Sequence, residues 1–190
     1  MARRKLIKDK SQIIDLAQRL IEAEGIEAVT MIRLSKEMGV SSMTLYNYVR
    51  NAEDVLREVL ILTFRSLYEQ IYSLMNSMTR SGHSGIEAYA RSYALALFDL
   101  ATEHRDICVY LIGDGYAAYY NNAELRHFYN PFASFLLGGA KDQSELKDAF
   151  HLFECVCFSL IREYALGSRH ITKDDYIRLI DSFIMKVFPK

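Results

Sequence analysis

The sequence predicts an all-α protein: an N-terminal three-helix helix-turn-helix domain joined by a long fourth helix to a C-terminal helical domain. Three observations carry this. Apolar residues recur at helical spacing through most of the chain, and no strand alternation is evident. Two prolines and nine glycines in 190 residues are too few for a fold rich in strands and turns. Residues 30–54, TMIRLSKEMGVSSMTLYNYVRNAED, read as two short helices across a tight turn, with another helix starting at once.

The first helix, about 9–24, carries Ile13, Ala17, Leu20 and Ile21 on one stripe and ends at Gly25. The second runs from about Met31 to Met38, where Leu34 and Met38 share a face. Gly39 stops it, since glycine takes positive φ without a Cβ clash. Val40 plugs the corner, and Ser41 caps a third helix carrying Thr44, Leu45, Tyr46, Asn47 and Tyr48. Two helices crossing through a short turn need a small residue, a turn residue and an apolar anchor. Ser35, Gly39 and Leu45 supply these at the right spacing. Ser42, Met43, Thr44 and Asn47 are the outward positions, able to reach base edges if the helix enters a major groove. Tyr46, Tyr48 and Arg50 follow with groups that hold phosphates. The plainer alternative is a corner in an ordinary helical protein.

The pattern Thr30…Leu34-Ser35…Met38-Gly39-Val40-Ser41…Thr44-Leu45-Tyr46-Asn47-Tyr48-Val49-Arg50…Glu53-Asp54-Val55-Leu56 resembles the DNA-binding domain of the tetracycline-repressor (TetR) family. The resemblance covers roughly residues 8 to 57. It implies a DNA-binding domain over 1–52, with Thr30, Arg33, Ser41, Ser42, Met43, Thr44, Tyr46, Asn47, Tyr48 and Arg50 as contact residues. It further implies a helical ligand-binding and dimerisation domain over 53–190. Two departures stand out. Ala52 occupies a position where the family usually has lysine, which removes one expected phosphate contact. Met43 stands where a small residue is common.

Charge agrees with this reading once it is divided. The chain carries −1 overall, but residues 1–50 hold nine Lys/Arg against six Asp/Glu, a local +3, leaving −4 for the rest. Positive charge therefore gathers around the motif, where it can steer DNA and neutralise phosphates. Arg3, Arg4 and Lys5 form either a solvated tail or an arm along the duplex. The N-terminus has no apolar run of signal-peptide or membrane-helix length, so a cytoplasmic protein is expected. Cys108, Cys155 and Cys157 read as reduced core residues, with a redox switch the alternative.

Helix four is expected to start near Ala52 and to extend to Met78, with a loop at 81–85. Helix five, about Gly85 to Glu103, keeps Ile86, Tyr89, Tyr93, Leu97 and Leu100 in step. Residues 106–122 are less regular around Gly113 and Gly115, and 122–137 is helical but interrupted by Pro131. Phe150, Phe153, Cys157, Leu160 and Tyr164 then run along one strong amphipath, widened by Val156 and Ile161 and ending at Gly167. After a Thr172 cap the last helix carries Tyr176, Ile180, Phe183 and Val187 beside Ile177, Ile184 and Phe188. Apolar surface on two sides exceeds one monomer's need, so a two-fold four-helix interface is expected. Its residues would be Phe153, Cys157, Leu160, Tyr164, Ile180, Phe183, Ile184 and Val187. The alternative is burial within their own subunit.

Aromatic residues crowd positions 110–135, and Tyr110, Tyr116, Tyr119, Tyr120 and Phe128 are the candidates for lining an apolar pocket with phenolic donors. The resulting expectation is a ligand-responsive repressor. It would bind a palindromic operator as a homodimer and be released by a small, largely apolar or aromatic effector, with helix four as the lever and no cofactor. A regulator without a small ligand, for example a protein-partnered activator, is the alternative. A helical metalloenzyme is more remote: Glu124-x-x-His127 fits a di-iron motif, but no second such pair exists. His151 and Cys155 share a helix face, yet two ligands do not make a metal site.

Overall fold

A computed structural model describes residues 7–82, 85–113 and 143–188, and within them every regular element is helical. In chain order these are α1 (Ser11–Glu24), a 3-10 turn (Ile26–Ala28), α2 (Met31–Met38), α3 (Ser42–Leu45), α4 (Ala52–Arg80) and α5 (Gly85–Glu103). They are followed by α6 (Arg105–Ile112), α7 (Gln143–Leu166) and α8 (Lys173–Val187). The chain divides into two compact units, Met1–Thr63 and Phe64–Lys190, so the division falls inside α4. Tyr116, Tyr119, Tyr120 and Phe128, the Glu124/His127 pair, and Arg3 and Arg4 lie outside the described residues.

In the N-terminal unit, Ile13, Ala17 and Ile21 of α1 are buried with Leu34, Leu45, Val55 and Val59. Burying each of the isoleucine, leucine and valine side chains contributes roughly 1.5–3 kcal/mol. Lys10 reaches Glu58 at 2.7 Å and pins the approach to α1 against the start of α4. Asn51 opens α4 by accepting the Asp54 N–H at 2.8 Å, while Asp54 accepts the Arg50 N–H at 3.1 Å.

The C-terminal unit is organised on α5. Alanine at 88, 90, 94, 96 and 101 alternates there with Tyr89, Tyr93, Leu97, Phe98 and Leu100, all buried, so the helix is covered on all but the half-buried stripe of Glu87, Arg91, Leu95 and Asp99. It packs against α6, α7 and α8. The small alanines let backbones come close, and the Tyr176 hydroxyl of α8 donates to the Ala94 carbonyl at 3.1 Å. α8 begins with a reciprocal capping box between Thr172 and Asp175. Arg91 joins α5 to α8 through Asp181 at 3.2 Å, and Lys173 does so through Asp99 at 2.8 Å.

This packing divides the residues expected at an interface into two sets. Phe153 and Cys157 are fully buried, and Ile180 and Ile184 nearly so, because their stripes face the core around α5. Leu160, Tyr164, Phe183 and Val187 are half-buried. The Tyr164 ring lies 4.6 Å from Phe98 and the Phe183 ring 6.3 Å from Phe153. Phe153, Cys157, Ile180 and Ile184 are thus committed to their own core, while the other four keep part of their surface. The large apolar groups left exposed are Leu152 and Leu166 on α7 and Leu179 and Met185 on α8.

Candidate nucleic-acid interface

The corner between α2 and α3 is built by three local devices. Thr30 caps α2, its side chain accepting the Arg33 N–H at 3.1 Å. Gly39 then takes φ 68°, ψ 33°. The Gly39 N–H donates to the Lys36 carbonyl at 3.2 Å and the Val40 N–H to the Ser35 carbonyl at 3.0 Å, which completes a Schellman stop. Ser41 caps α3 by accepting the Thr44 N–H at 3.2 Å, and its hydroxyl shares a 2.9 Å bond with the Thr44 hydroxyl. Each cap contributes about 1 kcal/mol.

Regular helix in α3 ends at Leu45, earlier than expected. The chain continues in tightened turns, with Asn47 N–H to Thr44 O at 3.3 Å and Tyr48 N–H to Leu45 O at 2.9 Å. Met43 is 76% exposed and Tyr46 53%, while Asn47 and Arg50 are exposed and Thr44 is half-buried. These side chains project from the corner as a set able to reach base edges and phosphates.

Three other expected contact residues are used inside the chain. Ser42 turns inward: its hydroxyl donates to Ser35 at 3.2 Å, so the two serines occupy the closest approach of α2 and α3. The Tyr48 hydroxyl donates to the Ile7 carbonyl at 3.0 Å and ties the N-terminal segment to the end of the motif. Arg33 lies between Glu24 at 2.6 Å and Glu37 at 3.2 Å, so its charge is compensated within the unit. The sequence reading missed Ile32, which is 78% exposed at the start of α2. Its offset of two from Leu34 was the available signal, since that spacing puts it off the buried stripe.

Asp54 holds the exit of the motif. Burial alone would raise its carboxyl, but the Arg50 N–H and the charges of Lys10, Arg57 and Arg50 hold it below the usual carboxylate range. Arg57 pairs with it directly. Ala52, half-buried in the first turn of α4, supplies no cation there.

In the C-terminal unit Tyr110 is half-buried on α6. Cys108 and Cys157 are buried, which pushes the Cys108 thiol up to about 12 and the Cys157 thiol higher still, whereas Cys155 is exposed. Sequence reasoning also missed Glu154. Burial raises its carboxyl to about 7, opposed by a hydrogen bond from Tyr93. The signal was present, since Glu154 is the only Asp, Glu, Lys or Arg in 149–161. Among the described residues no three His, Cys, Asp or Glu side chains gather as a metal site, and no helix is long and apolar enough to cross a membrane.

A capped helix, a left-handed glycine stop and a second capped helix with an exposed face define a helix-turn-helix corner. Comparison with known proteins narrows the class. Residues 13–59 match the family described as bacterial regulatory proteins, tetR family. An HTH-type transcriptional regulator of Staphylococcus aureus (strain bovine RF122 / ET3-1) is 31% identical over 72 residues, which span 36% of this chain and 39% of that protein. Beyond the motif the likeness is one of fold. The fatty acid degradation regulator FadR of Bacillus halodurans superposes with a TM-score of 0.66 at 20% identity, covering 96% of each chain. FadR of Bacillus subtilis, solved in complex with stearoyl-CoA, gives 0.61 at 16% identity, covering 94% of this chain and 97% of that one.

Proposed function

We propose that this chain is a TetR-type regulator, a ligand-responsive repressor that binds a palindromic operator as a homodimer. Residues 1–52 serve as its DNA-binding domain and 53–190 as its ligand-binding and dimerisation domain, in the cytoplasm. The observation that carries the proposal is the outward set Met43, Tyr46, Asn47 and Arg50, held at a corner fixed by two caps and a glycine stop. Met43 and Asn47 meet base edges, while Tyr46 and Arg50 hold the backbone.

A second copy covers the outward apolar residues of α7 and α8, which include Leu152, Leu166, Leu179 and Met185. Two-fold pairing then sets two α3 segments about one DNA turn, roughly 34 Å, apart, and so demands a palindrome. The effector is small and largely apolar or aromatic. The stearoyl-CoA held by the Bacillus subtilis regulator of the same fold supports a ligand role for the C-terminal unit. An effector that binds better to a dimer with wrongly spaced α3 segments releases DNA by that difference in affinity alone.

A gel shift on the promoter region of the chain's own gene tests the reading. The native chain should retard that duplex as a dimer, and Tyr46→Ala should not. Retardation that is equal for both proteins would place the contact surface elsewhere.

A further inference from the structure

Among the described residues the two most exposed large apolar side chains are Ile32 and Met43, and both belong to the helix-turn-helix. With three quarters of its surface in solvent, Met43 adds little to the core of its own unit. It follows Ser42, whose hydroxyl donates to Ser35 where α2 and α3 cross. One step along a helix turns the side chain by about 100°, so Met43 faces away from that crossing.

The hydroxyls and the guanidinium around Met43 are already engaged. Ser42 is bound to Ser35, the Ser41 and Thr44 hydroxyls share a 2.9 Å bond, and Arg33 lies between Glu24 and Glu37. With Tyr46 and Arg50 on the backbone, the groups left for base edges are the Asn47 amide and the Met43 thioether. A thioether donates nothing and accepts only weakly. Guanine, cytosine and adenine present polar groups alone in the major groove, whereas thymine adds a C5-methyl. Laid over polar edges, Met43 would cut them off from water without replacing their hydrogen bonds. Laid over a methyl, it removes apolar surface from water on both sides, and its unbranched, polarisable chain adapts to the methyl's position. Residues 1–50 hold nine Lys/Arg against six Asp/Glu, a local +3, which favours a polyanionic duplex as the occupant of this surface.

We infer that Met43 is a specificity-determining residue that reads the C5-methyl of a thymine, one in each half-site of the operator. The inference rests on the operator-binding reading above and adds which base is selected at that position and by which group.

Uracil in place of thymine removes the methyl and keeps every hydrogen-bonding group of the base pair. The operator recovered by selection from random DNA is remade with deoxyuridine at one thymine position at a time. Each duplex is titrated with the full chain by fluorescence anisotropy at a single salt concentration. At one symmetric pair of positions, uracil should lower affinity about fourfold in one half-site and about fifteenfold in both, the loss of one and two buried methyl groups. Met43→Ala should bind the thymine duplex more weakly and respond less than about twofold to uracil there. Because the side chain is exposed, its melting temperature should stay that of the native chain, which separates lost reading from lost fold. Met43→Leu keeps an apolar chain and should keep most of the methyl dependence.

An operator in which uracil matters at no thymine would overturn the assignment and leave the operator-binding reading in place. So would a uracil response that persists undiminished in Met43→Ala. Selection that recovers no shared sequence would remove both.

Discussion

Ser35 and Ser42 meet hydroxyl to hydroxyl at the crossing of α2 and α3, while Tyr46 one turn later stands half in solvent. That contrast sorts the motif's polar side chains into those that build the corner and those that use it. Tyr46→Ala should therefore lower operator affinity by roughly tenfold or more, the loss of a charge-assisted phosphate bond, with little change in melting temperature. Asp54 and Glu154 give opposite pH signatures. The folded Asp54 carboxyl is depressed, so its contribution is present above its unfolded value and is lost as pH falls through the acid range below about 4. Glu154 is raised, from an ordinary 4.5 to about 7. The fold thus binds its proton more tightly than the unfolded chain does, and stability declines as pH rises from about 4.5 toward 7. Glu154→Gln should accordingly stabilise the chain by about 2 kcal/mol at pH 8 and much less at pH 5, read by denaturant titration at each pH. An equal gain at both would show that ionisation of Glu154 is not what costs stability. At this scale the sequence showed residue type and spacing but not direction. Ser42 and Tyr48 read as outward because nothing local reveals that one meets Ser35 and the other reaches Ile7, 41 positions away.

Among the elements, α2 and α3 were the most legible, since caps and stops are local chemistry. Threonine, glycine and serine at 30, 39 and 41 do in the structure what their side chains dictate. Gly39→Val should cost about 1–2 kcal/mol in chemical denaturation, because a β-branched residue at φ 68° is strained whatever surrounds it. A cost near zero would mean that the turn adapts. The α7 and α8 stripes were equally legible as periodicity, and part of each faces α5. Apolar spacing records that a face is buried but not what buries it. Phe153 and Ile180 found their partners in α5, whose buried alanines allow helices to approach closely. The short α3 was also beyond reach, since helical propensity does not reveal where a helix tightens into turns.

Across the whole molecule, the near-neutral total conceals a basic N-terminal stretch ahead of an acidic remainder, the division expected when one end meets DNA. The proposed dimer gives the exposed leucines and Met185 a purpose. Leu152→Glu combined with Met185→Glu should convert the chain to monomers in sedimentation velocity while leaving helix content intact. A dimer that survives both changes would move the interface to another face. Every later step depends on sequence-specific, two-fold binding of DNA, and that is best measured by selecting bound duplexes from a random pool at moderate salt. The account predicts an inverted repeat whose half-sites lie about one helical turn, roughly 10 base pairs, apart. Recovery of duplexes with no shared sequence, or with a shared site lacking two-fold symmetry, would contradict it.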